Sequence, residues 1–272
     1  MKHFLALAFL LAGSLAVMAD EPQDGYFQTS DNIKIHYMTL GDQGSWVVLI
    51  HGFTDSARRM YFSTGIAQEL AKNHRVVAID NRNHGLSDKP QPGGPGIAED
   101  TIELMRHLGI EKAHIHGYSM GGGITGRLMA SNPELFITGS FGGSGIREVD
   151  TEKAAAAQAL DPTAPEPTGT EAAAFNRLRQ AASRNRGEGE ARPRVRTGPE
   201  IDLGKITFPV LAINGEYDRP LSKTQRLWRE LGNFQNVILP GKSHMTAIAV
   251  GGPMPQLYID SLATFINAND QE

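Results

Sequence analysis

With 272 residues, 40% of them hydrophobic, the chain is long enough to bury a sizeable core, which excludes wholesale disorder. A formal net charge of −4 and a pI near 6.1 give no basis for expecting nucleic acid as a partner. There is no cysteine, so a disulfide framework, a thiolate metal site and a thiol nucleophile are all excluded.

The first stretch reads as an address. Lys2 and His3 form a short polar start, Phe4 to Val17 is almost wholly apolar, and Val17-Met18-Ala19 offers small residues where a signal peptidase cuts. Residues 1–19 are therefore expected to be a signal peptide and the protein to be exported, to a bacterial periplasm or to the medium. The apolar run is shorter than the roughly 20 residues that span a bilayer, so no stable membrane insertion is expected after cleavage.

Tyr26–Thr29 and Ile33–Thr39 then read as strands around a Ser30-Asp31-Asn32 turn. Trp46–Ile50 is a continuous apolar run ending at His51-Gly52, as expected of a strand buried on both faces, and Val76–Asp80 and Ala113–Tyr118 share that look. Helices are expected over Tyr61–Asn73 and over Ile97–Leu108, where Ile97, Ile102, Leu104, Met105 and Leu108 roughly keep one face. Strands alternating with helices imply parallel strands joined by crossovers. Ile137–Phe141 and Val210–Asn214 continue the alternation, and Val237–Leu239 followed by Leu257–Phe265 closes it.

Residues 148–204 break the rhythm, being rich in alanine, proline, glycine and charge. The run Asp161-Pro-Thr-Ala-Pro-Glu-Pro cannot be regular helix, whereas Glu171–Ser183 can. The segment is expected to form a small, mainly helical cap over the sheet, inserted into a core made of residues 20–147 and 205–272. The plainer reading is a solvated linker.

Chemistry centres on Gly117-Tyr118-Ser119-Met120-Gly121, which follows an apolar strand and precedes a plausible helix over Gly122–Asn132. A serine on a strained strand-to-helix turn needs neighbours without bulk, and glycine two before and two after supplies this. Such a turn aims the Ser119 hydroxyl out of the sheet and puts the Met120 N–H at a helix start, where developing negative charge is favoured. The second N–H of an oxyanion hole comes from the loop after an earlier strand, and Phe53 in His51-Gly52-Phe53 is the candidate. The His51 side chain reads as structural.

Asp80-Asn-Arg-Asn-His-Gly-Leu-Ser-Asp88 is similar to the signature loop of the α/β-hydrolase family, usually Asp-x-Arg-Gly-His-Gly-x-Ser, and the resemblance runs from about Tyr26 to Phe265. Asn83 replaces the usual glycine, and asparagine tolerates the left-handed backbone that this turn demands. The resemblance implies an α/β-hydrolase fold: a mostly parallel central sheet flanked by helices, with the small helical cap. His84 and Asp88 are then scaffold or pocket-rim residues. It also implies a triad in the chain order serine, acid, histidine. Of nine histidines only His244 follows Ser119, and Gly241-Lys-Ser-His-Met245 stands just beyond the last short strand, where the family keeps its base. Asp218 in Gly215-Glu-Tyr-Asp-Arg-Pro220 fits the family's Gly-x-x-Asp, with Glu216, Glu148 and Asp150 as other candidates for the acid.

The resemblance thus implies catalysis by Ser119, His244 and Asp218 with no metal or organic cofactor. His114 and His116 alternate on one strand with no third ligand near in sequence, so no zinc site is expected. Thr54, Tyr118, Phe141 and Met245, together with Phe53 and Met120, are candidates to line a pocket for a small to medium acyl group. Seven arginines between Arg177 and Arg196 are read as a solvated helical face or, more sharply, as a basic rim favouring carboxylate-bearing esters or lactones. Carboxylic-ester hydrolysis is the first expectation for a small-molecule substrate. Met120-Gly121-Gly122-Gly123 also resembles the elbow of cofactor-free haloperoxidases, and lactonase, amidase and carbon–carbon bond hydrolase activities share the triad. Dehalogenases and epoxide hydrolases of the family carry aspartate where Ser119 stands. A ligand-binding or receptor module that retains the pocket is the non-enzymatic alternative.

Overall fold

Apolar residues on successive strand positions build one sheet with two buried faces. The computed structural model describes residues 21–90, 96–163, 165, 169, 172–173, 176, 180, 195–248 and 254–270. The expected leader at 1–19 lies outside the described residues, as do most of the expected helix at 171–183 and every arginine of the proposed rim except Arg196. The strands are β1 (Gln23–Gln28), β2 (Lys34–Leu40), β3 (Trp46–Ile50), β4 (Arg75–Ile79), β5 (Ala113–Tyr118), β6 (Phe136–Gly142), β7 (Val210–Gly215) and β8 (Phe234–Leu239). They form one eight-stranded sheet in the order β1-β2-β4-β3-β5-β6-β7-β8. β2 runs antiparallel to β1 and to β4, and every other neighbour is parallel.

The two-residue period of a strand sorts the core. Val47, Leu49, Val76 and Ala78 pack with α1 (Ile66–Leu70) and the last helix, Gln256–Asn269. Val48, Ile50, Val77 and Ile79 point the other way, into a cluster with α2 (Ile97–His107) and α3 (Met120–Ser131). This is the mostly parallel sheet with helices on both faces that the alternation predicts. Among the described residues no helix is long and apolar enough to cross a membrane.

Two helical readings change. Tyr61–Asn73 is not one helix: Arg58–Phe62 forms a π-type turn, Gly65 takes φ 90°, and only then does α1 begin. The break lets Tyr61 and Ile66 both enter the core, and it carries the Tyr61 hydroxyl to the Ile50 carbonyl at the end of β3, 2.8 Å away. The second change is the appearance of two helices to which the sequence assigned no range, α4 (Thr151–Leu160) and α5 (Pro220–Glu230). In α5 the buried face includes Lys223, Thr224 and Arg226 beside Leu227, so its inner side looks polar in sequence. The last helix, Gln256–Asn269, is α6. α4 opens the segment expected to form a cap. Asp150 caps its start by accepting from the Lys153 N–H at 2.8 Å, and Asp161 at its end accepts from the Leu221 N–H of α5 at 2.8 Å. The Asp161 bond docks the start of the segment against the N-terminus of α5, which follows β7.

Candidate active site

Ser119 stands between β5 and α3, as the N-cap of α3, with φ 54° and ψ −107°, a conformation that costs a non-glycine residue about 1–3 kcal/mol. The turn survives because it is held at both ends. The Ser119 N–H donates to the Gly142 carbonyl at 2.8 Å, and the Gly123 N–H donates to the Ser119 carbonyl at 3.1 Å. The glycines are steric requirements. A Cβ on Gly121 would stand 1.9 Å from the Ile50 carbonyl oxygen, and one on Gly117 would stand 2.2 Å from that of Gly121.

The same close approach presses the elbow against the end of β3. A Cβ on Gly52 would lie 3.5 Å from that of Ser119, so the loop carrying Phe53 meets the start of α3 beside the serine. Among the described residues neither the Phe53 nor the Met120 N–H has a hydrogen-bond acceptor, which leaves both amides available to a ligand.

His244 Nε2 lies 2.9 Å from Ser119 Oγ, and His244 Nδ1 lies 2.8 Å from Asp218 Oδ2. The loop that brings the histidine is anchored twice: the Tyr118 hydroxyl donates to the His244 carbonyl at 2.5 Å, and Glu216 accepts from the Gly241 N–H at 2.7 Å. Asp218 is 7% exposed. Burial pushes its carboxyl up, but the charges of His244 and Lys223 and their hydrogen bonds more than offset this and hold it below the usual carboxylate value.

Lys223 is the member of the site that sequence reasoning missed. Its ammonium is ion-paired to Asp218 Oδ1, the oxygen that His244 does not use, and donates to the Gly143 carbonyl at 3.0 Å. Burial lowers its pKa to about 8, with Asp218 opposing the fall, so the ammonium stays charged at neutral pH. A lysine in a polar helix carries no sequence signal of burial; its only clue is a position five residues after Asp218.

The other candidates for the acid are engaged elsewhere. Glu148 is buried in an ion pair with Arg229, and Asp150 caps α4. The proposed pocket also divides. Thr54 is exposed, Phe53 is half-buried with its ring 5.8 Å from that of His84, and Met245 is buried at 8% exposure. Phe141 is no pocket residue: it is fully buried in the cluster beneath α3 with Ile124 and Leu128, because its place on β6 points it to that face. Tyr118, 2% exposed, props the His244 loop from inside instead of lining a cleft.

The signature loop is scaffold. Asn83 takes φ 68°, and Asp88 accepts from the Lys34 N–H at 2.8 Å. Asp80 gathers the Ala57 N–H, the Leu86 N–H and His36 Nδ1, at 2.7, 2.8 and 2.8 Å. His51 is likewise structural: Nδ1–H donates to the Gly52 carbonyl at 2.7 Å and Nε2 accepts from the Asn81 N–H at 3.1 Å. Burial lowers its pKa from 6.5 to about 4. Between those values the unfolded chain binds a proton that the folded chain refuses, so stability rises with pH across that window and falls on acidification. At about 1.4 kcal/mol per unit the loss approaches about 3 kcal/mol at pH 4. The difference between the wild-type and His51→Gln profiles in urea unfolding between pH 7 and 4 measures it, because other buried histidines such as His116 contribute with the same sign to both.

A family model described as the alpha/beta hydrolase fold matches residues 45–137. An esterase of Escherichia coli strain K12, Esterase YbfF, is 33% identical over 92 residues, 34% of this chain and 35% of that protein. Matches to the first curated relatives span 23–35% of their length, so the chain spans about a third of them or less. A proline iminopeptidase of Mycobacterium smegmatis superposes with a TM-score of 0.68 at 17% identity, over 91% of this chain and 99% of that one. A point mutant of the meta-cleavage product hydrolase CumD gives 0.66 at 24% identity, over 90% and 98%. At those identities the likeness is one of fold. The family match contains Phe53 and Ser119 but not Asp218 or His244, whose association with the serine rests on the geometry above.

Proposed function

We propose that the chain is a serine hydrolase of the α/β-hydrolase superfamily that cleaves carboxylic esters of small to medium acyl groups through an acyl-enzyme. The observation that carries this reading is the unbroken line of hydrogen-bonding distances from Ser119 Oγ through His244 to Asp218. A serine hydroxyl is inert at its own pKa, so a base must take its proton as it attacks the carbonyl carbon, and His244 Nε2 stands where that transfer needs it. Asp218 fixes the tautomer with the proton on Nδ1 and stabilises the imidazolium. The Phe53 and Met120 amides receive the oxyanion, each contributing about 3 kcal/mol to the barrier reduction. His244 then gives its proton to the leaving alcohol, and water repeats the attack to release the acid.

Lys223 acts through Asp218: by holding Oδ1 it fixes the carboxylate plane and leaves Oδ2 for the histidine. Arg147 is half-buried, within electrostatic reach of Asp218, and makes no ion pair among the described residues, which supports substrates that carry a carboxylate away from the reacting carbonyl. In the same reading residues 148–204 cap the site and residues 1–19 direct export.

A fluorophosphonate probe is expected to label the protein at Ser119, located by peptide mass. A panel of p-nitrophenyl esters of increasing chain length, run beside lactones and amides, is expected to show turnover highest for short to medium esters. Labelling without turnover of any substrate would favour the ligand-binding alternative, and no labelling at all would end the proposal.

A further inference from the structure

About five residues of β5 separate Ser119 from a second cluster of ligating side chains, roughly 16 Å at the rise of a strand. His114 is the second residue of β5, His74 immediately precedes β4, and Asp270 follows the last residue of α6. Three segments far apart in sequence thus meet at the end of the sheet opposite the catalytic centre. One ligand atom from each of His74, His114 and Asp270 lies within 4.8 Å of the other two. His74 Nδ1 is 3.6 Å from Asp270 Oδ2, and His114 Nε2 is 3.4 Å from Asp270 Oδ1.

These separations leave room for an ion between the side chains. The His114 contact is a long hydrogen bond that an ion would replace, and the His74 separation is beyond hydrogen-bond reach. Zinc–ligand lengths of about 2.0–2.2 Å put the edge of a coordination tetrahedron at about 3.3–3.6 Å.

The outer partners point the same way. His74 Nε2 lies 2.7 Å from Asn267 Oδ1, an acceptor, which places the proton there and leaves the Nδ1 lone pair facing Asp270. His114 Nδ1 lies 2.8 Å from Thr138 Oγ1, which can accept its proton and so free the Nε2 lone pair. A ligating imidazole that donates its other N–H to an oxygen is the usual support of a metal site. Ser45 Oγ, 3.0 Å from His74 Nδ1, is the competitor, and its proton must turn away for an ion to bind. The two rings are buried at 0–2% side-chain exposure and the carboxylate is 21% exposed, so the cluster opens to water on the Asp270 side, where an ion can enter and keep water as its fourth ligand.

We propose that His74, His114 and Asp270 form a binding site for a divalent ion of the zinc class, which ties the end of α6 to β4 and β5. Two imidazoles and one carboxylate match that class, and no thiolate is needed. The site is independent of the proposed hydrolysis.

The test uses the full, untagged chain, stripped with a chelator, exposed to zinc chloride and separated from free metal by gel filtration. One zinc per chain is expected by elemental analysis, with the thermal midpoint raised by about 5 °C or more at a hundredfold excess over Kd. Asp270→Asn keeps the size of the partly exposed side chain and can donate to an imidazole, so it is expected to fold with an unchanged circular dichroism spectrum and unchanged fluorophosphonate labelling while losing the zinc and the thermal gain. Wild-type protein that retains no zinc, or Asp270→Asn that retains as much as wild type, would overturn the proposal. Failure of ester turnover alone leaves this measurement unaffected.

Discussion

Replacing Ser119 with alanine is expected to lower kcat about a million-fold on any ester the wild type turns over, with KM nearly unchanged. In the proposed mechanism the hydroxyl forms the covalent bond, so its loss removes an interaction made only on the way to the transition state. The residue left behind keeps the fold, because alanine is smaller than serine and the bonds that hold φ at 54° come from the backbone of Gly142 and Gly123. The oxyanion amides remain, so a residual rate of about 10³–10⁴ over water is expected. Steady-state kinetics on protein expressed free of host esterases measures it. A variant that kept more than about one per cent of wild-type kcat would show that Ser119 is not the nucleophile.

Asp218→Asn is expected to lower kcat about ten thousand-fold. An asparagine amide facing Nδ1 favours the imidazole tautomer whose Nε2 carries a proton, and such a histidine cannot accept one from Ser119. The substitution has a second consequence through Lys223. The ammonium is buried and its ion pair is with Asp218, so the variant strands a charge that the Gly143 carbonyl alone must hold. Breaking a buried pair from one side costs about 3–5 kcal/mol of stability, whereas removing both charges is often neutral. The double variant Asp218→Asn/Lys223→Met is therefore expected to recover most of the stability in urea unfolding and none of the activity. A single variant with kcat within tenfold of wild type, or a double variant that regains turnover, would remove Asp218 from its assigned role.

Much of the strand framework was legible because each parallel strand carries its own signal. Trp46–Ile50 and Ala113–Tyr118 are buried on both faces, so nearly every residue is apolar or uncharged and the run ends where the burial ends. The elbow was legible for the same kind of reason: the close approach of Gly121 to β3 forbids a side chain, and only glycine satisfies it. Tyr61–Asn73 failed as a helix because a π-type turn and a left-handed glycine answer to the shape of the core, not to local propensity. α5 went unread because its inward face carries Lys223, Thr224 and Arg226, whose burial is possible only with partners from elsewhere.

Phe141 shows the boundary most plainly. It pairs with Gly117 in register, two residues from the nucleophile, and proximity along the sheet made it a pocket candidate. The parity of β6 decides which face it joins, and that is set when the strand docks. Sequence by itself indicated the fold class and the serine with its glycine neighbours, and the family resemblance pointed to His244 and, among several carboxylates, to Asp218. Tertiary structure alone decided which groups share a space: His244 with a serine 125 positions away, Lys223 with Asp218, and His114 with Asp270 across 156 positions. The reason is physical. Backbone sterics and apolar periodicity act over a few residues, whereas the burial of a charged or ligating group is settled by neighbours that only the closed sheet brings together.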